Sequence, residues 1–292
     1  MRTRTNVITA VGLLLAVTCP SAYGAINWQL TSSCMNTGGT NYGNSRTCTS
    51  DGVSVTARAY SNTGNTNGGT NNALQTAYLG TFSGGFGATN RDGSNNTDAD
   101  EGIPSNSDPP EHGVDNDGRY DIVLFSLAEA MNLTQVQLGY FPVDSDITVL
   151  AYTGGGSPAE LSNGTTTTTY AALTSTLGWT LVGHYSDVSA LPGDTVNLNT
   201  SSQTANPNLV SSHWLVGAYN PLVGSDQGWT KGNDYVKLLA LWAEKPSNGT
   251  PEPNGMALFG ATLAALMWAR GRGQRNDKVQ VASARARRRG KS

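Results

Sequence analysis

The chain has 292 residues and a formal charge of −3, and only 13% of its residues are charged, about half the usual share for a globular protein. The charge is unevenly spread: residues 25–249 carry seven Lys and Arg against nineteen Asp and Glu, a net −12, while nine basic residues follow Ala269. A surface that acidic repels nucleic acid and anionic membranes and attracts cations, which excludes nucleic-acid binding for this segment. Its solubility rests instead on Gly, Ser, Thr and Asn, as in Ser61–Asn72 and Gly164–Tyr170, a composition suited to a turn-rich extracellular β protein.

Residues 1–24 read as a signal peptide. Arg2 and Arg4 supply the positive start, Val7–Val17 the apolar stretch, and Ala22-Tyr23-Gly24 a small-x-small cleavage site before Ala25. Cys19 is not preceded by a lipobox and leaves with the signal. Two cysteines remain in the exported part, Cys34 and Cys48. In an oxidising compartment the simplest reading is one disulfide. It closes a Gly- and Asn-rich loop that has little to bury, and no CxxC or Cys/His spacing competes with it.

Residues 25–246 form the exported domain, long enough for one large β-sandwich or barrel. Period-two alternation recurs along it. Val53, Val55, Ala57 and Ala59 share one face; Val136, Leu138 and Tyr140 form a second set, and Ile147, Val149 and Ala151 a third. Trp179, Leu181 and Gly183 follow, then Val196 and Leu198, then Trp214, Val216 and Ala218. Asp121–Leu127 and Tyr235–Ala243 are denser apolar runs that suit central strands, or a short helix for the second. Turn clusters separate these runs, at Asn62–Asn72, Gly154–Pro158, Leu191–Asp194 and Asn220-Pro221. The expectation is an all-β fold, an antiparallel sandwich of the jelly-roll kind.

The most chemically loaded stretch is Asp98–Asp121. It holds Asp98, Asp100, Glu101, Asp108, Glu111, Asp115, Asp117 and Asp121 against the single base Arg119. Calcium takes six to eight oxygen ligands from such Asp/Asn/Gly loops, which makes Asp98, Asp100, Asp115, Asp117 and Asp121 its expected ligands. The stretch is no EF-hand: with Gly118 at the sixth position, Gly113 and Leu124 occupy the first and twelfth, where carboxylates are needed. A solvated acidic loop that orders the start of the strand at Ile122 explains the same residues. Asp144-Ser145-Asp146 is a second acidic pair that could join the site in space, although a turn before a strand accounts for it equally well.

Beyond the Ser247–Pro251 linker come Pro251-Glu252-Pro253, the fifteen-residue apolar run Gly255–Ala269, and Arg270, Arg272 and Arg275. As a helix the run spans about 22 Å, a turn or more short of a hydrocarbon core of about 30 Å. That deficit suits a transient anchor, and the arginines place its far end in the cytoplasm. This order of breaker, apolar run and basic flank at 247–275 resembles the PEP-CTERM sorting signal recognised by exosortases of Gram-negative, exopolysaccharide-producing bacteria. Glycines and Gln274 dilute the basic flank here, and a basic tail, residues 276–292, follows it.

A second resemblance covers about the middle half of the chain. Glu111–Asp121, Asn132-Leu133-Thr134, Asp144–Ile147, Val149–Gly154 and Gly178–Gly183 are similar to exosortase-dependent surface proteins. It implies a β-rich exported protein without an assigned activity. The implied partners are the export machinery and signal peptidase, then exosortase, then extracellular polysaccharide. The implied location is the cell surface or matrix, after transient anchoring in the inner membrane.

No motif points to catalysis. His112, His184 and His213 sit in no recognisable constellation, and there is neither a GxSxG nor an HExxH pattern. A carboxylate pair for glycoside hydrolysis is defined by three-dimensional separation, which sequence does not give. Two readings follow: a non-catalytic surface or matrix component, or a carbohydrate-binding module or glycan-active enzyme. Trp229, flanked by turn residues, is the expected glycan contact, whereas Trp179 and Trp214 fall in phase with core residues.

Overall fold

The computed structural model describes residues 24–39, 41–62, 73–90, 112–140, 144–162, 168–187, 193–200 and 208–246. The expected signal peptide, the expected sorting segment with Pro251, Glu252, Pro253, Arg270, Arg272 and Arg275, the basic tail, and Asp98 and Asp100 lie outside these residues. No helix among the described residues is long and apolar enough to cross a membrane.

Fourteen strands and one helix form the described domain. The first seven strands are β1 (Ile26–Gln29), β2 (Met35–Thr37), β3 (Ser45–Ser50), β4 (Val53–Asn62), β5 (Leu74–Thr76), β6 (Tyr78–Phe82) and β7 (Gly85–Thr89). After β8 (Val114–Asp115) come the twenty-residue β9 (Asp121–Tyr140), β10 (Ile147–Tyr152) and the helix α1 (Tyr170–Ser175). The last four are β11 (Trp179–Tyr185), β12 (Thr195–Asn197), β13 (Ser211–Ala218) and β14 (Tyr235–Glu244). All the pairings between these strands are antiparallel.

The length of β9 organises the fold. Its first half lies between β4 and β13, with β10 and β11 beyond β13. Its second half pairs with β14 and β12 instead. The alternation read from sequence holds over β4, where Val53, Val55, Ala57 and Ala59 are all buried. These residues share one core with Val123, Phe125, Val149, Trp214, Val136, Leu138 and Leu241, which come from both halves of the β9 network. Burial of that apolar area is the main stabilising term. Trp28 is sealed in the same core with its indole N–H donated to the Val53 carbonyl at 2.9 Å, which satisfies the one polar atom the ring brings with it. The Tyr235–Ala243 run forms a strand, not a helix.

Three local features depart from the sequence pattern. In β11, Val149 pairs with Gly183 but Leu150 with Leu181, so Val182 is an inserted residue. Val182 therefore joins the main core while Trp179 and Leu181 face a second cluster, splitting the predicted Trp179–Leu181–Gly183 face. The short helix α1 was not anticipated from a threonine run of high β-propensity. It starts because Thr169 Oγ1 accepts the Ala172 N–H, an N-cap, and because Tyr170 and Leu173 bury one face in the second cluster. Leu198, expected as part of a strand, lies just past β12 but is still buried.

The Cys34–Cys48 disulfide is present, joining the segment after β1 to β3 with a Cα–Cα distance of 4.5 Å, within the range for unstrained bridges. Both cysteines are buried.

Candidate metal centre

Carboxylates converge at one end of β10. The β10–β11 register sets Ile147 opposite Tyr185, so the residues just before β10 meet those just after β11. Asp144, Asp146 and Asp187 each offer a carboxylate oxygen, and these oxygens lie within 4.8 Å of one another. Calcium–oxygen distances are about 2.3–2.6 Å, so oxygens on opposite sides of one Ca²⁺ are separated by about that span. The donors are hard oxygens alone, which suits Ca²⁺ rather than a transition metal. This cluster could hold a metal such as calcium.

Hydrogen bonds hold the three in place. Asp187 donates its backbone N–H to Asp146 Oδ1 at 2.6 Å, and Asn233 Nδ2 donates to Asp144 Oδ2 at 2.8 Å. A fourth carboxylate stands behind them: fully buried Asp234, whose Oδ1 accepts the Asp146 N–H at 3.0 Å. Asn116 anchors this fourth acid. Its Oδ1 accepts the N–H groups of Gly232 and Asp234, and its Nδ2 donates to Asp234 Oδ2 and the Tyr219 carbonyl. Tyr219 in turn donates its N–H to the Asp146 carbonyl at 2.9 Å. Exposure grades outward from Asp234 and Asp146, both buried, through half-buried Asp144 to exposed Asp187.

Such crowding raises the proton affinity of the buried members. Burial, then the nearby charges of Asp144 and Asp187, pushes Asp146 up to about 6, against the opposing bond from the Asp187 N–H. Burial, then Asp146 and Asp144, pushes Asp234 up to about 8, opposed by the bonds from the Asp146 N–H and Asn116. A divalent cation reverses this logic by favouring every ionised oxygen around it.

Of the expected calcium ligands, Asp115, Asp117 and Asp121 are among the described residues. Asp115 and Asp121 are buried; Asp115 Oδ1 accepts the Asp117 N–H at 3.0 Å, and Asp117 Oδ2 accepts the Tyr235 hydroxyl at 2.7 Å. All three lie outside the group formed by Asp144, Asp146 and Asp187. Their segment reaches the centre through Asn116. The Asp144-Ser145-Asp146 pair was visible in sequence, but Asp187 and Asp234 were not singled out. Each follows or precedes a strand, and a carboxylate just beyond a strand end was the available signal.

The same end carries an aromatic cluster of tilted and edge-on rings. Trp229 is half-buried, 4.9 Å from the Tyr219 ring and 6.3 Å from His184. Asp226 pins its loop by accepting from the Tyr219 hydroxyl, the Gly228 N–H and Lys231 Nζ. The Lys231 bond, then the other two, holds Asp226 well below the usual carboxylate range. Trp179 and Trp214 are buried, as their phase implied.

Comparison with protein-family models, curated proteins and solved structures finds no match for this chain. The three histidines are dispersed. His184 Nδ1 bonds Thr148 Oγ1, His213 Nδ1 bonds the adjacent Ser212 Oγ, and His112 Nδ1 accepts from Lys237.

Proposed function

We propose that the chain is an exported, exosortase-sorted protein of the cell surface or extracellular matrix. In this reading it is non-catalytic, associates with exopolysaccharide, and carries a jelly-roll-like β-sandwich that binds calcium through Asp144, Asp146 and Asp187. The observation that carries the calcium part is the meeting of three carboxylates within 4.8 Å in front of buried Asp234, inside a segment of net charge −12. Export is supported by the two terminal signals in the sequence and by a disulfide that belongs in an oxidising compartment.

Calorimetric titration with CaCl₂ tests the cation directly. One site is expected, with a dissociation constant of about 10⁻⁴–10⁻³ M, as for other extracellular modules, and Asp146→Asn should remove it. Absence of binding in that range rejects the calcium reading. A second reading, a carbohydrate-binding module, is favoured by the half-buried Trp229 ring backed by Tyr219. Under it, Trp229→Ala lowers retention of the protein on insoluble polysaccharide; unchanged retention rejects it.

A further inference from the structure

The outer side of β9 carries a second, unrelated feature. Leu133 pairs with Ala243 and Gln135 with Trp242, which leaves Thr134 as an inserted residue. A bulge re-aims side chains: Leu133 and Val136 both turn into the core, and Thr134 and Gln135 both stay half-exposed on the other side. Next to them β12 places Asn197 opposite Gln135, whose Nε2 donates to Asn197 Oδ1 at 2.8 Å. Glu244 sits opposite Asn132 on the other flank. Buried Asn199 closes the end, fixed by two bonds to the Leu209 backbone and one to Asn132 Oδ1. Together these residues wall a cleft of about 290 Å³.

The lining is unusual for a small-molecule site. Such sites measure about 300–1,000 Å³ and are mostly apolar. Among the described residues this one is built from amides, hydroxyls and a single carboxylate, with Leu198 and Ala25 its only apolar members. No Lys, Arg or His among the described residues lines it, so its walls offer an anionic ligand no counter-charge. An amide offers a donor and an acceptor side by side, the arrangement that matches neighbouring hydroxyls. The internal bonds use Asn132 Oδ1 and one Gln135 N–H, which leaves Asn132 Nδ2 and Gln135 Oε1 for a ligand. Because Asn199 and Gln135 are already held, little ordering cost accompanies binding. A peptide strand is the poorer fit, since β12 is only three residues long and gives a short edge to extend.

We propose that this cleft binds a neutral, hydroxyl-rich ligand: a saccharide unit without ionised groups. The site is separate from the carboxylate cluster and does not depend on calcium. The test uses the full chain in EDTA, with maltose, cellobiose and lactose as probes and glucuronate and triglycine as controls, read by NMR of the side-chain amides. At least one disaccharide should shift the Asn132 and Gln135 amides saturably, with a dissociation constant of about 1–10 mM. Gln135→Ala should weaken that binding about tenfold, the loss of roughly one hydrogen bond, without changing the melting temperature. Trp229→Ala should leave it intact. No saturable shift up to about 100 mM, a response that requires calcium or Trp229, or a stronger response to glucuronate or triglycine would each overturn the assignment.

Discussion

Asp187→Asn is the most revealing perturbation of the carboxylate cluster, because it moves stability in opposite directions with and without calcium. Asp187 is exposed and has φ +44°, a left-handed conformation that Asn tolerates well, so the backbone is kept while one charge is removed. In EDTA the variant should be as stable as the parent or slightly more so, since the charge it loses is one that disfavours ionised Asp146. With calcium the parent gains RT ln(1 + [Ca²⁺]/Kd), about 2.7 kcal/mol at one hundred times Kd. For a domain of residues 24–246, that raises the melting temperature by about 5–11 °C. Losing one ligand should weaken binding about tenfold and so halve the increment, to about 1.4 kcal/mol. The assay is a thermal melt at pH 7.5 in EDTA and in 10 mM CaCl₂. A melting temperature indifferent to calcium, or an increment that survives Asp187→Asn in full, refutes the reasoning.

Acidity should act on the same cluster. Asp146 and Asp234 have folded pKa values raised to about 6 and about 8, so the folded state holds more protons than the unfolded one between about pH 4 and 8, and calcium-free stability should fall as pH rises through that window. The calcium increment should grow over the same range, and chemical denaturation at pH 5, 6.5 and 8 measures both; a calcium-free stability that rises from pH 6.5 to 8 contradicts the account. His112 behaves in the opposite sense: burial, then nearby Lys237, lowers it to about 4, so its contribution to stability is lost as pH falls from about 6.5 to 4. Its ring protons should titrate near pH 4 by NMR, and a midpoint near 6.5 rejects the part-buried Lys237–His112 contact. Reducing the Cys34–Cys48 bridge, which spans a sequence separation of 14, should cost about 3 kcal/mol in the chain-entropy model, read as a lower melting temperature of Cys34→Ser/Cys48→Ser. Mass spectrometry of surface-extracted protein should find termini near Ala25 and near Pro251–Pro253; recovery of peptides from residues 285–292 in that fraction counts against sorting by cleavage.

Sequence alone carried the local part of this protein. Alternation at Val53–Ala59 and Ile147–Ala151 marks strands because side chains in a strand take opposite faces in turn. Two cysteines in residues 25–246 leave one intramolecular pairing. The β3–β4 hairpin is equally legible: Asp51-Gly52 has both residues at positive φ, with Ser50 paired to Val53, the two-residue turn this dipeptide favours. Tertiary structure decided the rest. Asp115, Asp117 and Asp121 lie close together in the chain yet stand outside the group formed by Asp144, Asp146 and Asp187, because closeness along the chain does not by itself set which carboxylates meet in space. Asp144, Asp146, Asp187 and Asp234 meet because hydrogen-bond registers bring the start of β10, the end of β11 and the start of β14 to one place. The bulges at Val182 and Thr134 likewise arise from pairing with a neighbouring strand. A strand's own sequence carries its period, whereas the partner it pairs with sets its register, its bulges and which of its ends come together.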